Sequence, residues 1–545
     1  MRYRAAADSG GAPAPAPDLV RQINDGLGNV TEIDYQMLTS VAGYLAQVAG
    51  PAQTLPVAGG PLPVVTRYGP GTGSRYSITV AYADGRRDAL GRGFLGFGTL
   101  RTTDSRTGLE TVTAYRQDFP YIGRADLVSV LDHGRKVSTY DPAWTETVTM
   151  ATDAAQDVHA VRLAGDRAED YETDADGGLR GALVAVTTRS LAWNADHGAI
   201  SIETMETSSP LEPGSTWRTV RRITYDEAAR AAGCLGLPTR IEETRDLSGA
   251  GALTRSTAMS YDPTTCRLAA AVDGPDLAAA RQLRTTYAFD SQGRLQSLTS
   301  TPGGDAAAAR LTRFAYASGA ASHANTQAQV VTGETDLVTG HAWNEALGLE
   351  TGRAEPQGAV TGWQYDDFGR LRVETRPTGL TRVSYTSCGP CFAPGARYAI
   401  RSARSDGFWS ETQHDEHGRL VGRASVLADG RAGRQQIEYD ELGRVRRQSV
   451  PYTEDASAVY WSSFTYDIVG RPKSIDQPAG ESQPTGAMAT FTYAGLDASI
   501  QNALAQVTRT HRDAQGRTTR VAGPLGSATT YAFDAFGQLT AVFDA

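Results

Sequence analysis

Four stretches hold residue types that do chemistry elsewhere. Cys388-Gly-Pro-Cys391 has the spacing of a thioredoxin-type dithiol, which needs a helix N-terminus to lower the pKa of its first thiol. Here it follows the strand-like R-V-S-Y and precedes F-A-P-G-A-R, a poor helix start. A local disulfide or plain thiols at a turn are expected instead. Cys234 and Cys266 lie in neighbouring units and are placed to pair with each other, although sequence does not settle connectivity. A zinc site at Cys388 and Cys391 would need two further ligands. His414-Asp-Glu-His417 is the one histidine cluster, and no H-E-x-x-H occurs. Gly91-Arg-Gly93-Phe-Leu-Gly96 fits G-x-G-x-x-G, but a dinucleotide site needs an apolar strand before it and a helix after it. Asp84-Gly-Arg-Arg-Asp precedes it and Thr99-Leu-Arg-Thr-Thr follows. This reads as a glycine-kinked strand pair with Phe94 and Phe97 packed inward. With no G-x-S-x-G elbow, Walker loop or kinase signature, no catalytic, cofactor or metal constellation is expected.

The residues that recur belong to a turn. In Ile437–Val445, I-E-Y-D-E-L-G-R-V, a strand-like run ends at Tyr439, Asp440 opens a reversal and Gly443 closes it before Arg444. Asp at the first position of a type I turn bonds the turn backbone, and Gly at the fourth accepts positive φ. The frame recurs at Asp290-Gly293-Arg294, Asp366-Gly369-Arg370, Asp415-Gly418-Arg419, Asp467-Gly470-Arg471 and Asp513-Gly516-Arg517. A last copy, Asp534-Gly537, carries Gln538 in place of Arg. Five of the seven are preceded by an aromatic residue: Phe289, Tyr365, Tyr439, Tyr466 and Phe533. Degenerate copies at Tyr261, Tyr316, Trp343, Tyr385 and Tyr493 fill the gaps, giving a spacing of about 19–29 residues, the range of repeat architectures. Such a hairpin cannot bury its face alone; stacked neighbours bury it, and the aromatic before each turn packs against the next unit.

The run Tyr/Phe-Asp-x-x-Gly-Arg-Leu/Val resembles the YD repeat of bacterial Rhs proteins, toxin-complex B and C components and teneurins. It covers the second half of the chain. The phrases G-R-G-F-L-G-F-G at Gly91–Gly98 and Y-R-Q-D-F-P at Tyr115–Pro120 resemble the middle region of SpvB-type and toxin-complex B proteins over residues 18–130. The resemblance implies an all-β hairpin array winding into a large hollow β-sheet shell, here incomplete. It implies a structural role: enclosing a toxic C-terminal polypeptide that this chain lacks. The implied partners are that polypeptide or a C-type component completing the shell, together with an A-type translocator. Relatives that cleave themselves do so at D-P-x-G-L; Asp141-Pro142 and Asp262-Pro263 lack the Gly-Leu. A surface adhesion or carbohydrate-binding repeat protein is the alternative, favoured by an anchor or cell-wall module.

The expected organisation is a Pro/Ala-rich flexible lead (1–17), a toxin-complex B-like β segment (18–130), irregular β repeats (131–260) and the YD array (261–545). Within it, Asp18–Tyr35 reads as a hairpin with Asp25 and Gly28 in the turn, residues 45–75 as a long Pro/Gly-rich loop, and Arg75–Tyr82 as a strand. Only short pieces such as Asp276–Arg284 and Gly304–Ala309 read as helical. The formal net charge of −9 and the scattered basic residues argue against a nucleic-acid surface. No apolar run is long enough for a membrane span, and the N-terminus has no Sec-type apolar core. Location outside the cell, secreted or on the surface, would then require a dedicated export system.

Overall fold

The computed structural model describes residues 19–544 except 27, 45, 47–49, 58–61, 71–75, 150–157, 319–320, 332–333, 390 and 479–486. The proposed lead 1–17 lies outside the described residues, as do Asp18, Leu27, Arg75, Met150 and Pro390 of the segments above.

The described residues form one antiparallel sheet of 39 strands. Each strand pairs in turn with the next along almost the whole chain, so the sheet is a long strip of hairpins. The ladder crosses residue 130 through Ala125–Asp132 against Arg135–Thr149, and residue 260 through Gly251–Tyr261 against Leu268–Asp273. One strand, Ala432–Tyr439, is shared. Its first half lies between Leu420–Val426 and Tyr452–Thr453, and its second half pairs with Val445–Ser449. Ser449, 1% exposed, sits at this fork and accepts a hydrogen bond from Gln436 N at 2.8 Å.

A single layer has two wet faces, and the surface area shows this. The accessible surface is 31533 Å² for a 57.9 kDa chain. A compact protein of that mass exposes roughly 19,000 Å². Buried apolar residues are correspondingly sparse, with Leu38, Leu95, Val421 and Ile437 among them. The strip is held by its ladder and by packing between hairpins rather than by one central core. It also returns over itself. Asn29 reaches Glu416, Arg106 reaches Glu441, Glu172 reaches Arg471 and Trp217 reaches Ala535. The separations are 387, 335, 299 and 318 residues, and the order ascends on both sides, as in successive circuits of a spiral.

Several local expectations change. The stretch read as a loop at 45–75 contains strands Thr54–Pro56 and Pro63–Pro70. Prolines at strand ends leave the ladder intact, so Pro content misled there. The strand after it runs Ile78–Asp88, past Tyr82 and through Asp84-Gly-Arg-Arg. Phe97 packs against Tyr82 with ring centroids 4.6 Å apart, but Phe94 is 48% exposed rather than inward. The expected helical pieces are reduced to 3-10 turns at Ala279–Arg281 and Ala306–Ala308. The α-helix among the described residues, Glu227–Ala231, was not legible; Asp226 caps it by accepting from Ala229 N. The first hairpin pairs Gln22–Asn24 with Val30–Met37, and Asp25 Oδ1 accepts from Asn29 N in the turn.

Candidate functional site: the repeat turns and the seam between circuits

In the turn at Asp440, Gly443 N donates to Asp440 O at 3.0 Å, and Asp440 N donates to Arg444 O at 2.8 Å. The carboxylate does the rest. Oδ1 accepts from Leu442 N (3.0 Å) and Arg444 N (2.9 Å), and Oδ2 accepts from Arg444 Nε (2.7 Å). Gly443 has φ +81°, where a side chain would be strained. The strands slip by one residue at Tyr439, the bulge that such a turn feeds. Asp290, Asp366, Asp415, Asp467 and Asp513 each hold the backbone N and Nε of their own arginine in the same way. Asp534 keeps the two backbone bonds, to Phe536 N and Gln538 N. Burial alone would raise the Asp440 carboxyl's pKa, but the N–H groups and charge of Arg444 outweigh it and hold the value below the ordinary range.

The Asp–Arg pair therefore lies inside one turn, not between repeats. The arginine makes the link to the next repeat through its flat face. Arg294 lies over Tyr316 at 4.1 Å, Arg419 over Tyr439 at 4.7 Å, Arg444 over Tyr466 at 4.6 Å, Arg471 over Tyr493 at 4.1 Å and Arg517 over Phe533 at 5.1 Å. The tyrosine hydroxyl then donates back to the residue after the arginine: Tyr439 to Leu420 O, Tyr466 to Val445 O and Tyr493 to Pro472 O, each at 2.8 Å. The aromatic thus packs against the preceding unit. The same donation spans the degenerate copies, from Tyr365 to Glu350 O of the degenerate unit before it and from Trp343 Nε1 of that unit to Ala324 O.

Because hairpins alternate, all seven Asp-x-x-Gly turns fall on one edge of the strip. In the second circuit this edge meets the opposite edge of the first. Asn29 Nδ2 donates to Glu416 O and Arg106 Nη1 to Glu441 O. Phe536 lies beneath Arg245 and Arg255, at 4.7 and 4.0 Å. The loop 172–182 inserts most deeply. Glu172, with no exposed side-chain surface, accepts from Arg471 Nη2 at 2.6 Å, Gly495 N at 2.9 Å and Asp174 N at 2.8 Å. Asp174 accepts from Tyr493 N, and Lys473 reaches Asp176 at 2.7 Å. A cavity of about 410 Å³ lies along the seam, lined by Ile78, Leu109 and Val130 of the first circuit and Leu442, Ile468 and Val469 of the second. Sequence reasoning missed Glu172 and Asp174. Their one signal is an acidic run, E-T-D-A-D-G-G, without a basic residue beside it.

The other candidates are placed apart from one another. Cys234–Cys266 and Cys388–Cys391 are disulfides, with Cα atoms 5.7 and 5.2 Å apart. No helix follows Cys391; instead Ala393 N donates to the buried Gln413. His414 fills the aromatic slot of its repeat, stacked on Tyr398 at 5.0 Å, while His417 is exposed in the turn. Among the described residues no group of three His, Cys, Asp or Glu is arranged to hold a metal ion. Gly91 and Gly93 form a hairpin tip with positive φ, not a phosphate loop ahead of a helix. Asp141-Pro142 lies within a strand, and Asp262 is a turn former that accepts from Thr264 N and Thr265 N. No helix among the described residues is long and apolar enough to cross a membrane.

A single-layer antiparallel strip of Asp-x-x-Gly hairpins, coiled so that its circuits stack edge to edge, defines a repeat-built β shell. Residues 1–120 match the family model of the insecticide toxin TcdB middle/N-terminal region, and residues 512–544 match that of the RHS repeat. The chain carries both signatures and is similar to the toxin-complex B component. No curated protein matches it. Among solved structures, the TcdB2–TccC3 complex superposes with a TM-score of 0.71 at 12% identity, over 96% of this chain and 37% of that one. The TcdB2–TccC3–Cdc42 structure gives 0.71 at 11% identity, with 96% and 39% covered. A Photorhabdus luminescens Tc holotoxin pore gives 0.63 at 11%, with 96% and 38% covered. The chain thus spans less than two fifths of the length of these structures.

Proposed function

We propose that this chain forms part of the wall of an Rhs/toxin-complex-type shell that encloses a toxic polypeptide carried on another segment or chain. The observation that carries the reading is the seam: a one-layer strip gains little from folding unless it closes a volume, and here its second circuit docks along its first. Both the motif residues and the seam residues serve structure, so the role is architectural and the chain has no turnover of its own. A C-type component completing the wall and an A-type translocator are its partners, and it acts outside the producing cell after dedicated export. Limited proteolysis tests this. Co-expressed with a C-type component that includes its toxic segment, the chain should co-purify and leave that segment resistant to a protease that digests it when free. A segment digested equally fast in the complex would overturn the proposal.

A further inference from the structure

We propose that the loop 172–182 is the register key of the winding: it fixes which hairpins of the second circuit sit on which hairpins of the first, and so the circumference of the shell. This rests on the shell reading above. Most seam contacts carry little information about register. Asn29 and Arg106 bond backbone carbonyls, and any turn offers one. Leu442 and Val469 hold the same position in two adjacent turns, so their apolar contacts discriminate weakly between those two. Loop 172–182 differs in three ways.

First, among the described residues it makes the salt bridges that join the circuits: Glu172 to Arg471 at 2.6 Å, Asp174 to Lys473 at 3.7 Å and Asp176 to Lys473 at 2.7 Å. Second, those charges are desolvated. The side chains of Glu172 and Asp174 are 0% and 1% exposed. A slip one way would set the two buried carboxylates on the Tyr493–Asp497 turn, which has no arginine. A slip the other way would offer Arg444 and Arg446 but bring the Asp467 carboxylate to the place of Ala494, and an uncompensated buried charge costs far more than a lost surface pair. Third, the fit is steric. A Cβ at Gly177 would stand 1.8 Å from Tyr493 O, so the loop enters only because residue 177 is glycine, and the turn it meets has no aspartate of its own, so that Gly495 N donates to Glu172 instead. Arg471 is one of six equivalent turn arginines. It is singled out because it serves its own Asp467 and Glu172 together. Buried ionic groups that set register at a cost in stability are a known device.

The Lys473–Asp176 pair supplies the readout, because both side chains are reachable by reagent, at 36% and 59% exposed. Zero-length carbodiimide coupling of the dilute monomer should join Lys473 to Asp176, seen by peptide mass spectrometry. Glu172→Gln should cut that product by about tenfold or more, because the buried acceptor for Arg471 loses its charge. Hydrogen exchange across the hairpin 360–376, which shares no contact with this loop, should stay unchanged. Asp534→Asn, a turn change elsewhere on the same edge, should leave the cross-link intact. Where Glu172→Gln does not fold, Asp174→Asn carries the same expectation, since it releases Tyr493 N and one partner of Lys473. A cross-link of undiminished yield in the folded variant overturns the register role. Its absence from the parent overturns the stacked circuits themselves, and with them the shell reading.

Discussion

Replacing Asp440 by Ala removes three hydrogen bonds to one carboxylate, from Leu442 N, Arg444 N and Arg444 Nε. It also frees the arginine that covers Tyr466. A hydrogen bond to a charged group contributes about 1.5–3 kcal/mol when well shielded. Here the Asp440 and Arg444 side chains are 23% and 27% exposed, so solvent takes part of the ion pair. We expect a net loss of about 2 kcal/mol, which is roughly a thirtyfold rise in the opening of this hairpin. A repeat strip need not unfold as one unit, so a global melt is a poor measure; hydrogen exchange resolved to 432–449 is the appropriate one. Asp534 is a built-in control. It accepts two backbone bonds and has Gln538 in place of arginine. Asp534→Ala should cost about 1 kcal/mol, close to a capping residue. Equal losses at the two sites would refute a contribution from the arginine, and no loss at Asp440 would refute the turn mechanism altogether.

Gly443→Ala places a methyl at φ +81° and 3.4 Å from Arg419 Nη1, and should destabilise the same hairpin by about 1 kcal/mol; hydrogen exchange over 432–449 matching the parent's would contradict the turn assignment. Tyr466→Phe loses the bond to Val445 O and should loosen the contact between two adjacent repeats by about 1 kcal/mol, read as faster exchange on both sides of it with circular dichroism unchanged. Acid should act late. Burial raises the carboxyls of Asp440 and Glu172, but their N–H donors and arginines prevail, so both lie below the ordinary 3.8 and 4.5. A carboxylate depressed in the folded state stabilises above its unfolded pKa and loses that contribution as pH falls through the folded value. Turns and seam should be intact at pH 5 and loosen below about 4; exchange rates that rise between pH 7 and 5 would argue against this.

The amino-acid sequence alone determined the local unit. Asp at the start of the turn and Gly three residues on have a conformation dictated by their own atoms, so the hairpins, the strand class and the repeat were legible from types and spacing. Legibility failed where local preference was overridden by neighbours. Pro63–Pro70 became a strand because Val30–Met37 lies beside it to pair with. The arginine's second role was partly visible as a conserved frame within the chain, but its stacking on the next aromatic needed the strand spacing to bring them together. The seam was invisible. Glu172 and Arg471 are 299 residues apart, and nothing local to either requires the other. What joins them is the accumulated twist and curvature of more than twenty strands. A small rotation at each strand, summed over a circuit, is set by tertiary geometry and decides which buried charge meets which cation.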